Sequence, residues 1–368
     1  MRAFRGAGAT HSVRCMDSDT PAPDPAPDPG AAPGADAFIR ALPKVELHVH
    51  LEGSMQPETL FALARKHRVD GIPATLADLR SWYTFRDFPH FVEVYLASVQ
   101  VLREESDFAL LTADVAERLA AQRVRYAEVH VSLYGHLMRG IPAHVVWAGL
   151  EHGRRAAERD HGIRLRWIPD FPGDYGLDAA ESTLDSVLAA RPDSVLGFGV
   201  GGMEVDLTPF AGVFGRAVAD GLHSLPHAGE STTADQVWSA VRALRAERIG
   251  HGIRSVADPR LMAHLRETQL PVDVSITSNL RTRSVARAAE HPLPHMLAAG
   301  LLVTLNTDDP PMFGTDLTNE YRTAHRLGLD LGALAQLARN GVAASFLDAR
   351  GKREITAEID AVLAAHTT

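Results

Sequence analysis

The chain has 368 residues, 45% of them hydrophobic, and a formal net charge of -9. That length suffices for a large buried core and for one barrel of eight strand–helix units, which takes roughly 250 residues or more. The acidic balance excludes the basic footprint of a nucleic-acid binder, no segment is long and apolar enough to span a membrane, and a lone cysteine, Cys15, excludes a disulfide framework or a cysteine-built zinc site.

In chain order, residues 1–36 are expected to form an unfolded leader. Positions 21–33 mix Pro, Ala, Asp and Gly with no apolar face to bury, and Met16 is a candidate start. The leader has arginines but no continuous apolar run of a secretory signal, and cysteine is scarce, so the expected location is cytoplasmic. Residues 37–368 show no composition break and are expected to form one domain. Strands are predicted at 45–50, 124–131, 165–171, 195–200, 222–226, 248–250, 272–276 and 302–306. Amphipathic segments lie between most of them, such as 179–190 with Leu184, Val187 and Leu188 on one side and 234–246 with Val237, Val241 and Leu244. Eight alternating units predict an α/β fold, a (β/α)8 TIM barrel. The connection 51–123 is too long for a simple crossover and holds helical patterns at 57–67 and 88–104. It predicts a helical insertion after the first strand, set as a lid over the strand ends where barrels build their sites.

The chemistry-bearing residues fall at four of those strand ends. The first strand ends in His48-Val49-His50, whose imidazoles, two apart on a strand, share a face. The fifth ends in His227-Ala228-Gly229-Glu230, the sixth in Gly250-His251-Gly252, where the glycines admit a close approach, and the eighth in Asn306-Thr307-Asp308-Asp309-Pro310-Pro311. Each has an ordinary alternative: a hydrogen-bonded histidine, a solvated glutamate, an acidic turn. Their convergence on one barrel face does not. Paired carboxylates after an apolar strand need neutralising, and a divalent cation would do so. Three His and one Asp suit zinc, one ion per chain, with iron, manganese or cobalt as substitutes. Glu230 and His251 then remain as acid and base beside a water activated by the metal.

The runs Leu42–Gly53 (LPKVELHVHLEG), Pro226–Glu230 (PHAGE), Arg248–Gly252 (RIGHG) and Thr307–Pro310 (TDDP) resemble the adenosine deaminase family of the amidohydrolase superfamily, and the resemblance spans residue 37 to the chain end. It implies His48, His50, His227 and Asp308 as zinc ligands and Glu230 as the acid that protonates purine N1. It implies His251 as the group that orients and deprotonates the water. His50, Glu52, Gly202 and Asp309 carry over as substrate contacts, with Glu52 toward the sugar 5′-hydroxyl, the Gly202 backbone toward N3 and Asp309 toward N7. Addition of water at C6 and loss of ammonia would turn adenosine or deoxyadenosine into the inosine product. The expected partner is therefore a small-molecule purine nucleoside, and the oligomeric state is left open.

Some positions depart from the common pattern. Glu52, the residue also usual in adenine deaminase relatives, stands where adenosine deaminases often have Asp, and the seventh strand lacks the usual Cys-Pro before Thr277-Ser278-Asn279. Stretches 85–95 and 309–321 are similar to actinobacterial relatives acting on nucleosides with large 5′ groups, such as aminodeoxyfutalosine. Adenosine is the main expectation, on the Gly201-Gly202 run. A 5′-modified adenosine (aminodeoxyfutalosine, methylthioadenosine) or free adenine is the alternative, and an inactive nucleoside binder a remote one. Zinc amidases and phosphotriesterases, which use a lysine after a middle strand, fit less well, because residues 195–250 hold no lysine.

Overall fold

A computed structural model describes residues 33–367 apart from residue 87. The expected leader lies outside the described residues up to position 32. From Pro33 the chain is helical, in α1 (Pro33–Ala41), so the helix takes in the last four residues of the expected leader, 33–36. The Asp36 carboxylate, in the first turn of α1, accepts hydrogen bonds from Arg322 at 2.6 Å and Arg40 at 2.8 Å, and Phe38 and Ile39 are buried.

Among the described residues nine strands pair in parallel: β1 (Lys44–His50), β2 (Val124–Val131), β3 (Arg164–Pro172), β4 (Gly197–Gly201), β5 (His223–Ser224), β6 (His227–Ala228), β7 (Ile249–His251), β8 (Val272–Val274) and β9 (Val303–Leu305). The eight predicted strands became nine because Pro226 divides the fifth. Proline has no N–H for the ladder. Before it, Leu225 N–H donates to Phe198 in β4. At it, the Pro226 carbonyl turns to the other side and accepts from Gly250 N–H. The result is two arcs, β1 to β5 and β6 to β9, continuous through residues 223–228.

The other junction is a seam between β1 and the segment after β9. Leu47 N–H donates to the side-chain Oδ1 of Asn306 at 2.9 Å rather than to a carbonyl. Two residues on, Val49 bridges Asp308 in parallel, with His50 N–H to Asp308 O at 2.8 Å and Asp308 N–H to His48 O at 3.0 Å. This is the α/β barrel expected from the sequence, with its helices outside.

In β1 alternation places Val45, Leu47 and Val49 on one face and Lys44, Glu46, His48 and His50 on the other. The second set points inward, and the barrel floor is correspondingly polar. Arg248 bridges Glu128 at 2.7 Å and Asp273 at 2.6 Å, and Glu46 accepts from the Thr307 N–H and hydroxyl at 2.8 and 2.9 Å. Burial pushes the Glu46 carboxyl up to about 8 despite those bonds.

The insertion after β1 contributes α2 (Pro57–His67), α3 (Leu76–Trp82), α4 (Phe88–Ser98) and α5 (Glu105–Ala121). The helix Ala143–His161 packs closely on α5, because a Cβ at Gly149 or Gly153 would lie about 2.5 Å from α5 atoms. That makes α5 the crossover helix of the first unit and leaves α2 to α4 as the addition. No helix among the described residues is long and apolar enough to cross a membrane.

Candidate active site

The strand ends bring His48, His50, His227 and Asp308 together, with one ligand-capable atom of each lying within 4.8 Å of the others. Asp308 Oδ1 is 3.5 Å from His48 Nε2 and 3.2 Å from His50 Nε2. The tautomer of His227 follows from its neighbour. Its Nδ1 lies 2.9 Å from the Val200 carbonyl, which can only accept, so Nδ1 carries the proton and Nε2 a lone pair. That lone pair faces His50 Nε2 at 3.1 Å. Both ring nitrogens of the fully buried His48 lack a hydrogen-bond partner among the described residues.

Burial, then the neighbouring imidazoles, hold His227 well below the usual histidine range, and burial does the same for His48. For His50 burial is outweighed by Asp309, Asp308 and Asp170, and its imidazole is pushed up to about 10. Neutral nitrogens facing one another around a carboxylate, with acids pulling a proton onto the third ring, are a donor set that fits a divalent cation.

Two residues of the site sit on strained backbone. His251 has φ of 61° and Asp308 of 69°, in the left-handed region. Such conformations cost about 1–3 kcal/mol each and concentrate at functional sites. Close approach also explains two glycines. A Cβ at Gly250 would lie 2.6 Å from the His48 ring, and one at Gly53 would overlap the Asp309 carboxylate.

Glu230 and His251 stand beside the cluster, with His251 Nε2 3.6 Å from Glu230 Oε2 and 4.0 Å from Asp308 Oδ2. Glu230 Oε1 accepts from Thr282 at 2.9 Å and from Asn279 and Ser284 at 3.3 Å each, which leaves Oε2 for the cavity. The Glu230–Thr232 turn is itself held by Glu204, which accepts their three backbone N–H groups. Asp309 lines the cavity with Oδ1 unpartnered among the described residues, and burial together with the Asp308 charge keeps its carboxyl well above the usual carboxylate range. Gly202 also lines the cavity, at φ of 75°.

Glu52 alone of the expected site residues is taken up elsewhere. It is fully buried, Oε1 is 2.7 Å from His136 Nε2, Oε2 accepts from Ser132 N–H at 3.3 Å, and it is not among the residues that line the cavity.

The structure adds residues that sequence reasoning passed over. Asp170, at the end of β3, is 3.3 Å from His130 Nδ1 and 3.8 Å from His50 Nδ1. It carried the same signal as Asp308, a carboxylate closing an apolar strand. Ser278 donates to Asp308 Oδ2 at 2.6 Å, and Asn279 reaches both Glu230 and His251. The cavity, about 930 Å³ of space free of protein atoms including its open mouth, continues outward between aromatic walls. Phe88, Phe91 and Tyr95 come from α4, and Tyr175 and Phe313 face them. Leu96 and Met203 at the rim are 44% and 50% exposed, so the mouth presents apolar surface to solvent.

Comparison with known proteins agrees with this geometry. The adenosine deaminase family model matches residues 43–362. The chain is 48% identical to an aminodeoxyfutalosine deaminase of Streptomyces coelicolor over 334 residues, covering 89% of this chain and 86% of that one. It is 40% identical to an adenine deaminase of the same organism over 312 residues, covering 83% and 91%. Among solved structures, an amidohydrolase from Burkholderia ambifaria with bound zinc superposes with a TM-score of 0.84 at 29% identity, covering 92% of this chain and 96% of that one. A match that spans nearly all of the described barrel, and that takes in all of the quoted motifs but the leading Leu42, leaves one assignment: the chain belongs to the adenosine deaminase family.

Proposed function

We propose that this chain removes the 6-amino group from the adenine ring of a nucleoside whose 5′ carbon carries a large substituent. The observation that carries the reading is Glu52. A free 5′-hydroxyl would need that carboxylate as its acceptor, but Glu52 is fully buried, turned to His136 and to Ser132 N–H, and does not line the cavity. Two further features support it. Stretches 85–95 and 309–321, similar in sequence to relatives acting on large 5′ groups, meet in space, with the Phe91 and Phe313 rings 5.0 Å apart on the cavity wall. The relative at 48% identity is an aminodeoxyfutalosine deaminase. Adenosine itself thus gives way to its 5′-modified forms as the preferred substrate, and a bare adenine would leave the aromatic mouth unused.

The chain's own groups divide the work. Glu230, with Oε1 saturated by donors, presents Oε2 as the atom that holds a proton for ring N1, whose protonation makes C6 electrophilic. Asp309, whose carboxyl burial and the Asp308 charge push well above the usual carboxylate range, is assigned to donate to the N7 acceptor. The Gly202 backbone is assigned to N3. His251 meets the incoming oxygen on the side of the cluster. His48, His50, His227 and Asp308 would hold one divalent cation, zinc by donor type and by the zinc-bound neighbour, and such an ion supplies Lewis acidity that brings a water's pKa down toward 7. His50 would both bind the ion and border the ring.

A substrate panel followed by the change in purine absorbance tests this. Aminodeoxyfutalosine and methylthioadenosine should exceed adenosine in kcat/KM by roughly tenfold or more, the order expected from one lost or gained buried contact of about 1–3 kcal/mol. Adenosine or free adenine turning over faster than both would overturn the substrate assignment.

A further inference from the structure

Behind the cavity a chain of four groups has a direction that hydrogen-bonding chemistry fixes. It starts at the backbone N–H of Leu293, which can only donate. Its partner at 3.2 Å is His291 Nδ1, which must therefore be a bare acceptor. The neutral ring then carries its proton on Nε2, which lies 3.3 Å from Asn279 Oδ1. That contact orients the Asn279 amide. Its Nδ2 hydrogens point to Glu230 Oε1 and to His251 Nδ1, at 3.3 Å each. The Glu230 carboxylate oxygen, already the acceptor for Thr282 and Ser284, requires the same amide orientation from the opposite end. Asn279 is fully buried and His291 almost so, and no water need be invoked between them.

We propose that His291 and Asn279 are positioning residues that fix the proton of His251 on Nε2, so that this imidazole meets the reacting oxygen as a hydrogen-bond donor. With Nδ1 taken by the Asn279 amide, an Nδ1–H would set two donors against each other. His251 Nε2–H points at the space between Glu230 Oε2 and Asp308 Oδ2. It holds an oxygen there by its hydrogen and offers no lone pair to receive a proton. On this proposal His251 keeps the orienting half of its expected role and not the basic half. Its catalytic consequence rests on the deaminase reading above, but the proton position does not.

The test is the nitrogen NMR spectrum of the zinc-loaded protein with labelled histidine at neutral pH, His251 being identified by the signal lost in His251→Gln. A protonated Nε2 with a bare Nδ1 is expected. In His291→Leu the Asn279 amide loses its anchor, so the His251 signals should shift toward a mixture of both tautomers. kcat should fall about 10–100-fold with little change in KM, as for other groups that orient a functional side chain from behind. His291→Gln, which keeps an amide donor, should recover most of both. Asn279→Asp offers only an acceptor and should draw the proton to Nδ1, which keeps the proposal testable if His291→Leu does not fold. A bare Nε2 or an imidazolium in the wild type, or a His251 spectrum indifferent to His291→Leu, overturns the proposal. Because the spectrum needs no turnover, a failed substrate assignment would leave the proton position of His251 unaffected.

Discussion

At the residue scale the proposed roles separate groups that would gather around a cation from groups that would move or hold protons, and the separation is measurable. Glu230 touches none of the three clustered imidazoles that would bind the ion, and its backbone is fixed by Glu204, so Glu230→Gln should keep metal content and purine binding. Turnover should fall by about 10²–10⁴-fold or more, the usual contribution of one proton-transfer group. Metal analysis and equilibrium binding of a product analogue, alongside kcat, check all three. His291 supplies a pH signature of stability. Burial lowers its imidazole to about 4 from an ordinary 6.5. The unfolded chain therefore binds this proton below 6.5 while the folded chain refuses it. The stabilisation is complete above pH 6.5 and drains away as pH falls from there toward 4. The full span corresponds to about 3 kcal/mol. Denaturant titrations at pH 7 and pH 4.5 should show a smaller loss in His291→Gln than in the wild type.

At the scale of elements, α4 is the part that would make this barrel selective on the proposed reading, since it supplies Phe88, Phe91 and Tyr95 to the cavity wall. Leu96 lies on its cavity side, half-exposed and without a structural burden, so Leu96→Glu should fold normally. An apolar 5′ group would lose part of a leucine contact, about 1 kcal/mol. KM for such substrates should rise about fivefold, with adenosine less affected, and steady-state kinetics on both compounds would show it. An equal effect on both would mean that α4 does not face the 5′ end. Much of this element is legible in the sequence: the overlong connection 51–123 announces an insertion, and the histidine and aspartate motifs announce the strand ends. Other parts are not, for physical reasons. His130 and His291 sit in stretches with no motif spacing, and they become neighbours of the site only through strand order. The engagement of Glu52 by His136 joins residues 84 apart in sequence, across an insertion whose path no periodicity specifies. The division of the fifth strand at Pro226 is written in the proline, but a single missing N–H does not say that pairing will resume on the other side.

At the scale of the whole molecule, the clustered imidazoles and Asp308 straddle the seam between β1 and the segment after β9. Stripping the ion with a chelator should therefore lower the unfolding temperature, and zinc should restore it. A ligand present at 100 times its Kd contributes about 2.7 kcal/mol. Calorimetry on the stripped and refilled protein measures this, and an unchanged transition would show that the cluster does not brace the barrel. The seam also fixes when the site can exist. Its first two imidazoles leave the ribosome near the start of synthesis, at His48 and His50, and its carboxylate emerges only at Asp308. Until then a nascent chain carries three histidines without the acid that gathers them, and an open sheet whose first strand has no neighbour on one side. The cluster is thus a late event in the life of the chain, completed only after most of the barrel has been made, and an ion captured earlier would be held by an incomplete set. The order of the strands thus makes the full set of four residues available only after Asp308 has been added to the chain.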